Sequence, residues 1–439
     1  MHIRHRGAWL AASLLLIAQG ISPRMALAQP SSADMMRTIM ESRAFAKASD
    51  HLSTGHEDWV RGIITLSQIP APPFKEQARA AAFAAMLAQR GLETVGTDEE
   101  GNVLAHRKGA GKGILVVSAH LDSVFAEGTD VTVRRQGNIL RGPGVGDDSS
   151  GLATLLALAD AMDAAGIATE ADIMFVGTVG EEGAGELRGV RHLFTRGAYR
   201  NRITAFISLD NSGLSEITTE AIGSRRFHIV YSGPGGHSFA DFGVVNPMVA
   251  MAKTVEQLYR TPIRPGEKSS YSASIVHGGS SINAVPSQVT LDVDLRSGSA
   301  VALDELVERL KSAVSQGVDQ ENRERSTVKG TVSARIQSVG DRPAGRTEPT
   351  SPLVRFARAA YEREGIDLKL HASSTDANIP MSLDIPAVTL SRVAVNEGAH
   401  STDEWIDVAP QPNVRLQRIA LAIILATAGF RPDGRDDGP

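Results

Sequence analysis

The 439-residue chain contains no cysteine, and this absence excludes several kinds of site. Without a thiol the protein forms no disulfide, no thiolate metal site and no lipidated cysteine. Aromatic residues make up only 5% of the chain, and the formal net charge is -5. No basic run and no basic stripe interleaved with aromatics is present, which argues against nucleic acid as a partner. Polar chemistry therefore rests on oxygen and nitrogen side chains.

Long hydrophobic runs are also scarce, and the most sustained one lies near the N-terminus. Arg4 and Arg6 precede the apolar stretch 9–18, and Ala26-Leu27-Ala28 offers a small-residue cleavage site. This pattern predicts a secretory signal peptide over residues 1–28, because the stretch is too short for a transmembrane anchor. We expect an exported protein without a stable membrane anchor, in a bacterial periplasm or the medium. Such a protein without disulfides must rely on its core, which this length permits.

Three apolar runs each stop at side chains that can bind a divalent metal. The runs and the polar residues that end them are Ile114 to Ala119 with His120 and Asp122, Asp172 to Val179 with Glu181 and Glu182, and Ile203 to Leu209 with Asp210. Continuous apolar runs of this length, separated by helical patterns, indicate a parallel sheet covered on both faces. Ligands bind at the carboxyl ends of such strands, so we expect these side chains along one sheet edge.

Two further segments supply candidate ligands. The glycine-rich segment 142–151 contains Asp147 and Asp148, and its Ser149 and Ser150 are suitable helix caps before a helical pattern. It lacks the Gly-Lys-Ser/Thr ending of a phosphate loop, and its aspartates would repel phosphate. His400 follows another apolar stretch, 385–395.

The candidate residues suit zinc. Imidazole nitrogens and carboxylate oxygens are ligands that zinc accepts, but two imidazoles with several carboxylates exceed the needs of one catalytic ion. Two ions bridged by a carboxylate would use them all. Each motif alone has an ordinary explanation as a surface pair, a helix cap or a solvated turn. The placement of each at a strand end favours a joint metal site.

The segment 222–340 has a different order of elements, which predicts an inserted domain. We predict strands at 226–231, 271–276, 288–295 and 326–336, with helices at 246–259 and 303–314. This β-α-β-β-α-β order is the split βαβ pattern of ferredoxin-like domains. The fold class is thus α/β, with a discontinuous catalytic domain over 29–221 and 341–430, an inserted α+β domain, and a polar tail at 431–439.

The ordered motifs resemble the co-catalytic zinc hydrolases that include peptidase T, acetylornithine deacetylase and bacterial glutamate carboxypeptidase. The resemblance runs from about Ile69 to Ile406 and rests on five motifs. These are His120-Leu121-Asp122, the glycine-rich loop with Asp147, Gly180-Glu181-Glu182-Gly183, Asp210 and His400. Ser149 and Ser150 stand where many relatives carry Lys and Gly, which leaves the choice between Asp147 and Asp148 open, with Asp147 favoured.

The resemblance implies a role for each of these residues. His120 and Asp210 would bind one metal and Glu182 and His400 the other, with Asp147 bridging both. Asp122 would orient His120, and Glu181 would be the general base. The inserted domain would be a lid and dimerisation domain, in which His237, Asn283 and Arg296 face the substrate and which pairs two chains as a homodimer. For His237 a plain loop histidine, and for Arg296 a surface pair with Asp294 or Asp292, are alternatives.

The expected activity is hydrolysis of amide bonds in small peptides, of the aminopeptidase, dipeptidase or tripeptidase type. A water bridging two zinc ions would attack, with Glu181 as general base; cobalt or manganese could replace zinc. Asp210, instead of a Glu, favours the peptidase T-like branch. The alternatives are an N-acyl amino acid deacylase or carboxypeptidase of the same family, with an acyl amino acid substrate, and a non-catalytic metal-stabilised binding protein.

Overall fold

A computed structural model of the chain describes residues 31–260, 262–263 and 268–432. The predicted signal peptide lies outside the described residues, as does the predicted tail 431–439 beyond residue 432. Arg431, predicted as the start of that tail, belongs instead to a short strand that pairs with Ala168. Among the described helices, none is both long and apolar enough to cross a membrane.

The described helices and strands, numbered in chain order, have the following bounds. The α-helices are α1 Ser32–Met40, α2 Arg43–Thr54, α3 His56–Ser67, α4 Gln77–Leu87, α5 Ser149–Ala164, α6 Arg188–Thr195, α7 Pro247–Tyr259, α8 Ala300–Glu324, α9 Pro352–Arg363, α10 Asn378–Ser382 and α11 Pro410–Ala428. The strands are β1 Thr94–Thr97, β2 Val103–Arg107, β3 Ile114–His120, β4 Arg134–Gln136, β5 Ile139–Arg141, β6 Ala168–Thr169, β7 Asp172–Thr178, β8 Ile203–Ser212, β9 Glu216–Ala221, β10 Gly223–Ser232, β11 Gly236–His237, β12 Ser269–Gly278, β13 Ala284–Val285, β14 Gln288–Ser297, β15 Ser333–Arg342, β16 Gly345–Arg346, β17 Lys369–Ser373, β18 Ala387–Val393, β19 Asn396–Glu397, β20 Trp405–Asp407 and β21 Phe430–Arg431.

A large sheet forms the centre of the molecule and has the strand order β1-β2-β7-β3-β8-β18-β9-β16, with β17 also beside β9. Its middle is parallel, since β7, β3, β8 and β18 run in one direction. Strands β2 and β9 run antiparallel to their inner neighbours, β7 and β18. The predicted mostly parallel sheet is confirmed, with antiparallel strands toward both sides.

Both faces of this sheet are buried, which explains the continuous apolar runs. Leu115 and Val117 of β3 belong to one core cluster with residues of α5 and α11. Ile114 and Val116 belong to a second cluster with residues of α6 and α10 on the opposite face. Successive side chains of a strand point to opposite faces, so a strand between two helical layers is apolar at most of its positions. Burial of each such side chain contributes about 1.5–3 kcal/mol.

The second sheet is antiparallel and has the order β12-β14-β10-β15. It runs from Gly223 to Arg342, and α7 and α8 pack on it around Leu291, Leu295 and Leu310. The order β10-α7-β12-β14-α8-β15 along the chain confirms the predicted split βαβ pattern.

One predicted element of this sheet is wrong in its position. The last strand was predicted at 326–336, whereas β15 spans Ser333–Arg342. Pairing with β10 begins only at Ser333, because the backbone N–H of Val332 donates to Asn322 Oδ1 at 2.8 Å instead of to the sheet. Pairing with β10 then continues to Arg342, where the chain returns toward the central sheet.

Candidate metal centre and active site

The central strands bring the predicted ligands to one edge of the sheet. His120 ends β3, and Glu181 and Glu182 follow β7, which pairs with β3. The sequence predicted that Asp210 follows the strand, but Asp210 lies inside β8. Strand β8 continues two residues further because its last residues still pair with β18.

The first group of ligand atoms surrounds the ring of His120. Its Nε2 lies 2.9 Å from Asp147 Oδ1 and 3.6 Å from Asp210 Oδ1. Burial opposes protonation of this imidazole, but the carboxylates of Asp122, Asp147 and Asp210 hold its pKa well above the usual range. The imidazole nitrogen thus lies within 3.6 Å of two carboxylate oxygens, and ligand atoms of His120, Asp147 and Glu182 also lie within 4.8 Å of one another. These carboxylates favour a cation beside the imidazole.

The second group lies on the other side of Asp147. His400 Nε2 is 3.1 Å from Asp147 Oδ2 and 3.0 Å from Glu182 Oε1. Hydrogen bonds to Asp147 and Glu182 raise the pKa of His400 to about 10. A proton therefore occupies the place where a metal would bind, and metal binding would release it.

Asp147 joins the two groups, since Oδ1 faces His120 and Oδ2 faces His400. Burial raises the pKa of Asp147, but Arg392 and the two histidines together hold it well below its usual range. An ionised carboxylate with one oxygen toward each group has the arrangement that a bridging ligand requires.

The neighbouring aspartate has a different task. Asp148 is the N-cap of α5, accepting a hydrogen bond from Gly151 N at 3.2 Å, so the predicted caps Ser149 and Ser150 are wrong. Its Oδ2 accepts from His120 N at 2.8 Å. Asp148 also lies with His120 and Asp210 in a group whose ligand atoms are within 4.8 Å of one another. Because backbone N–H groups occupy both of its oxygens, the geometry favours Asp147 as the bridging ligand.

Asp122 supports the site mainly through the backbone. Its carboxylate accepts hydrogen bonds from Glu181 N at 2.9 Å and Glu182 N at 2.8 Å. The Nδ1 of His120 is 3.0 Å from the Asp122 carbonyl oxygen and 3.6 Å from its Oδ1. Asp122 therefore holds His120 chiefly by its carbonyl, and it holds the turn with both glutamates by its carboxylate.

Glu181 lies outside both ligand groups. Its Oε1 is 3.1 Å from Arg342 Nη1, and its carbonyl oxygen accepts a hydrogen bond from Arg342 Nη2. Burial raises the pKa of Glu181 well above its usual range, and the charge of Arg342 opposes that shift. The carboxylate of Glu181 is therefore buried, paired with Arg342 and separate from the two ligand groups.

The sequence analysis missed three charged side chains of the site, which are Arg342 beside Glu181, Arg392 and Glu404. Arg392, 5% exposed, donates from Nη1 to Asp210 Oδ1 at 2.6 Å, and its Nη2 is 3.5 Å from Asp147 Oδ1. Glu404, fully buried, accepts from Gly144 N at 2.7 Å and Asp147 N at 3.1 Å. The available signal was a single charge inside the apolar stretch 385–395 for Arg392, since unpaired charges are rarely buried.

The three predicted substrate-binding residues of the inserted segment form hydrogen bonds within that segment. The Nδ1 of His237 accepts hydrogen bonds from Phe239 N and Ala240 N, both at 3.2 Å, so its proton lies on Nε2. Asn283 O accepts from Ser238 N at 2.9 Å. Arg296 Nε donates to Asp294 Oδ2 at 2.7 Å, the ion pair that the sequence offered as the alternative. Their roles toward substrate stay predictions.

The donor sets fit two divalent ions. One set contains His120, Asp147 and Asp210, and the other contains Asp147, Glu182 and His400. Each set offers one imidazole nitrogen and two carboxylate groups, which are ligand types that zinc accepts.

Comparisons with known proteins agree with this architecture. The family model "Peptidase family M20/M25/M40" matches residues 116–415. The structure of aminopeptidase PepT from Bacillus cereus ATCC 10987 is similar with a TM-score of 0.70 at 21% identity, over 85% of this chain and 99% of that chain. A tripeptidase from Staphylococcus aureus subsp. aureus Mu50 gives a TM-score of 0.70 at 19% identity over the same shares. A dinuclear metal-binding peptidase from Bacillus subtilis gives 0.63 at 16%, over 85% and 99%. At these identities the similarities establish the fold.

Proposed function

The chain belongs to peptidase family M20/M25/M40, and from that premise we propose that it hydrolyses amide bonds of small peptides with two bound divalent ions. The observation that carries this proposal is the position of Asp147. Its two carboxylate oxygens lie 2.9 Å and 3.1 Å from two different histidines, each of which has a further carboxylate partner. A single-ion site has no need of such a bridge.

The bound ions would polarise the scissile carbonyl and lower the pKa of a water molecule toward neutrality. Glu181 accepts a proton from the attacking water as the water oxygen bonds to the carbonyl carbon. It then delivers that proton to the amine nitrogen as the carbon–nitrogen bond breaks. The exclusion of Glu181 from both ligand groups leaves its carboxylate available for this transfer.

His237 suits the role of hydrogen-bond donor to the substrate. Since its Nδ1 accepts two backbone hydrogen bonds and the residue is exposed, its Nε2–H is available as a donor. A neutral imidazole with this tautomer can donate to the oxyanion that develops on the carbonyl oxygen. Asn283 lies beside the same loop through its carbonyl contact with Ser238.

We propose zinc as the metal, with cobalt or manganese as possible substitutes, because all ligand atoms are imidazole nitrogens and carboxylate oxygens. Elemental analysis of the active protein should find two divalent ions per chain. A chelator should abolish activity, and added metal should restore it. One ion per chain at full activity would contradict the bridging role of Asp147.

The proposed substrates are peptides with a free amino terminus. This choice follows from Asp210, because an Asp instead of a Glu at this position favours the peptidase T-like branch. The test is a panel of di-, tri- and tetrapeptides with free or acylated amino termini and free or amidated carboxyl termini, assayed with zinc, cobalt or manganese. Hydrolysis that needs the free amino terminus supports an aminopeptidase, dipeptidase or tripeptidase. Hydrolysis restricted to acylated substrates supports the deacylase alternative. Metal binding without turnover of any member supports a binding protein, although such a protein would have no use for Glu181.

A further inference from the structure

Arg342 connects the second sheet with the proposed general base. It is the last residue of β15, where it pairs with Ser224 of β10. After Pro343 and Ala344 the chain enters β16, which pairs with β9 in the central sheet. Arg342 thus lies where the chain passes from one sheet to the other.

The guanidinium holds Glu181 at two points. Its Nη1 donates to the carboxylate Oε1 at 3.1 Å, and its Nη2 donates to the carbonyl oxygen of the same residue. A planar fork that binds both the side chain and the backbone of one residue restricts its rotamer as well as its position. Asp122 holds the backbone N–H of Glu181 from the other side, so the base is held from two directions.

A second arginine joins the same two parts of the molecule without touching the base. Arg226 Nη1 of β10 donates to Glu186 Oε1 at 2.6 Å, and Asp341 N donates to Glu186 Oε2 at 2.9 Å. These contacts attach the second sheet to the loop that follows Glu182. The attachment of the sheet and the placement of Glu181 therefore depend on different arginines.

A direct contact of Arg342 with substrate is disfavoured by its surroundings. Its residue is only 5% exposed, and the Nη groups are directed at Glu181 and Ser374. Most of its surface is therefore covered by the protein.

We infer that Arg342 is a positioning residue for Glu181, through which the second sheet sets the geometry of proton transfer. This inference rests on the proposed peptidase function. A carboxylate that accepts a proton must lie within hydrogen-bond reach of the water, and a misplacement of about 1 Å can lower the rate about 100-fold. The hydrogen bonds of Arg342 go to Glu181 and Ser374 and to none of the proposed metal ligands, so we expect its loss to leave metal binding intact.

The test compares Arg342→Gln, Arg342→Lys and Arg342→Ala with Arg226→Gln as the matched control, using the best peptide from the panel. Arg342→Gln should lower kcat about 100-fold while KM changes by less than about 2-fold and two metal ions are retained. Arg342→Lys should fall between it and the wild type, because an ammonium cannot hold both oxygens in the same geometry. Free guanidinium should restore part of the activity of Arg342→Ala. Arg226→Gln should keep kcat within about 2-fold, since that pair does not touch Glu181.

A double variant separates positioning from general damage. If Arg342 acts through Glu181, Arg342→Gln should cause no further loss of kcat in the Glu181→Gln background. An additional loss there, or equal losses in Arg342→Gln and Arg226→Gln, would assign Arg342 a structural role only. A rise in KM at constant kcat would assign it to substrate binding. Wild-type protein that hydrolyses no peptide would instead remove the proposed function itself, and this inference with it.

Discussion

The two adjacent glutamates differ sharply in their surroundings. Glu182 Oε1 lies 3.0 Å from His400, inside a ligand group, whereas Glu181 Oε1 lies 3.1 Å from Arg342. The backbone N–H groups of both glutamates donate to Asp122. The turn held in this way directs the carboxylate of Glu182 toward His400 and that of Glu181 toward Arg342. One position suits a metal ligand and the other suits a base.

Glu181→Gln should retain both metals and bind substrate, yet lose turnover by about 100-fold or more, since only the base is removed. Glu182→Gln removes a charged ligand and should lower metal occupancy. Elemental analysis and steady-state kinetics on both variants provide the measurement. If Glu181→Gln sheds a metal and keeps near-normal turnover, the roles of the two residues are exchanged.

Asp122→Ala should weaken metal binding about 10 to 100-fold. The reason is that the turn carrying Glu182 and the ring of His120 both lose the carboxylate that orients them. The variant leaves the N–H groups of Glu181 and Glu182 without their acceptor, at a cost of about 1–3 kcal/mol each. Asp122→Asn keeps one acceptor oxygen and should lie between the variant and the wild type. Competition with a coloured chelator measures the affinities, and wild-type affinity in Asp122→Ala would contradict the orienting role.

Arg392→Met should destabilise the metal-free protein by about 3–5 kcal/mol, because it removes the buried guanidinium that pairs with the carboxylates of Asp147 and Asp210. Added zinc should recover part of this loss by supplying positive charge to the same carboxylates. Lys311→Met, which removes an exposed pair with Glu308, is the control and should cost at most about 1 kcal/mol. Urea unfolding with and without zinc measures both. Equal losses in the two variants would show that Arg392 does not compensate the cluster.

At the scale of elements, the glycine-rich loop owes its shape to a residue far along the chain. Glu404 accepts backbone hydrogen bonds from Gly144, Gly146 and Asp147, and Asn396 donates to the same carboxylate. Burial, and next the charge of Asp147, raise the pKa of Glu404 to about 7. The loop that carries the bridging ligand is therefore tied to a group that titrates near neutrality.

This raised pKa predicts a pH dependence of stability in the metal-free protein. Between about pH 4.5 and 7 the folded state keeps a proton on Glu404 that the unfolded state has lost, so the free energy of unfolding falls as pH rises. Glu404→Gln lacks this group. The free energy of unfolding of the wild type minus that of the variant should fall by up to about 3 kcal/mol across this window. Denaturant unfolding at pH 5, 6 and 7 measures the difference, and a difference independent of pH would contradict the assignment.

At the scale of the whole molecule, the second sheet exposes an edge strand. Among the described residues, β12 pairs only with β14, and its Ile275 and Val276 are 47% and 51% exposed. Exposed apolar edge strands favour association with another strand. The strand is thus a suitable surface for the homodimer expected from the sequence.

The protein should be a dimer in solution, and Val276→Lys should shift it toward the monomer by placing a charge on the edge. Light scattering measures the mass of both proteins. Val328→Lys, which adds the same charge at an exposed position of the same segment outside β12, is the control. A wild-type monomer of full activity would exclude a role for His237 in a neighbouring subunit but not within its own chain.

Much of the fold and the ligand set was predictable because the determining signals are local. The runs 114–119, 172–179 and 203–209 are mostly apolar and show no strict alternation, which is typical of strands covered on both faces. Parallel strands place their carboxyl ends at one edge, so the sequence alone determined that His120, Glu182 and Asp210 meet. The order of elements in the inserted segment likewise determined its split βαβ pattern.

The tertiary structure decided the contacts that join distant residues. Arg342 reaches Glu181 across 161 positions, Arg392 reaches Asp210 across 182, and Glu404 reaches Asp147 across 257. A charged side chain in the sequence carries no sign of which opposite charge it will meet. The same applies to Asp148, whose backbone partners distinguish it from Asp147, and to β15, whose start depends on a bond between Asn322 and Val332. Hydrophobic pattern is read along the chain, but electrostatic partnership depends on proximity in space.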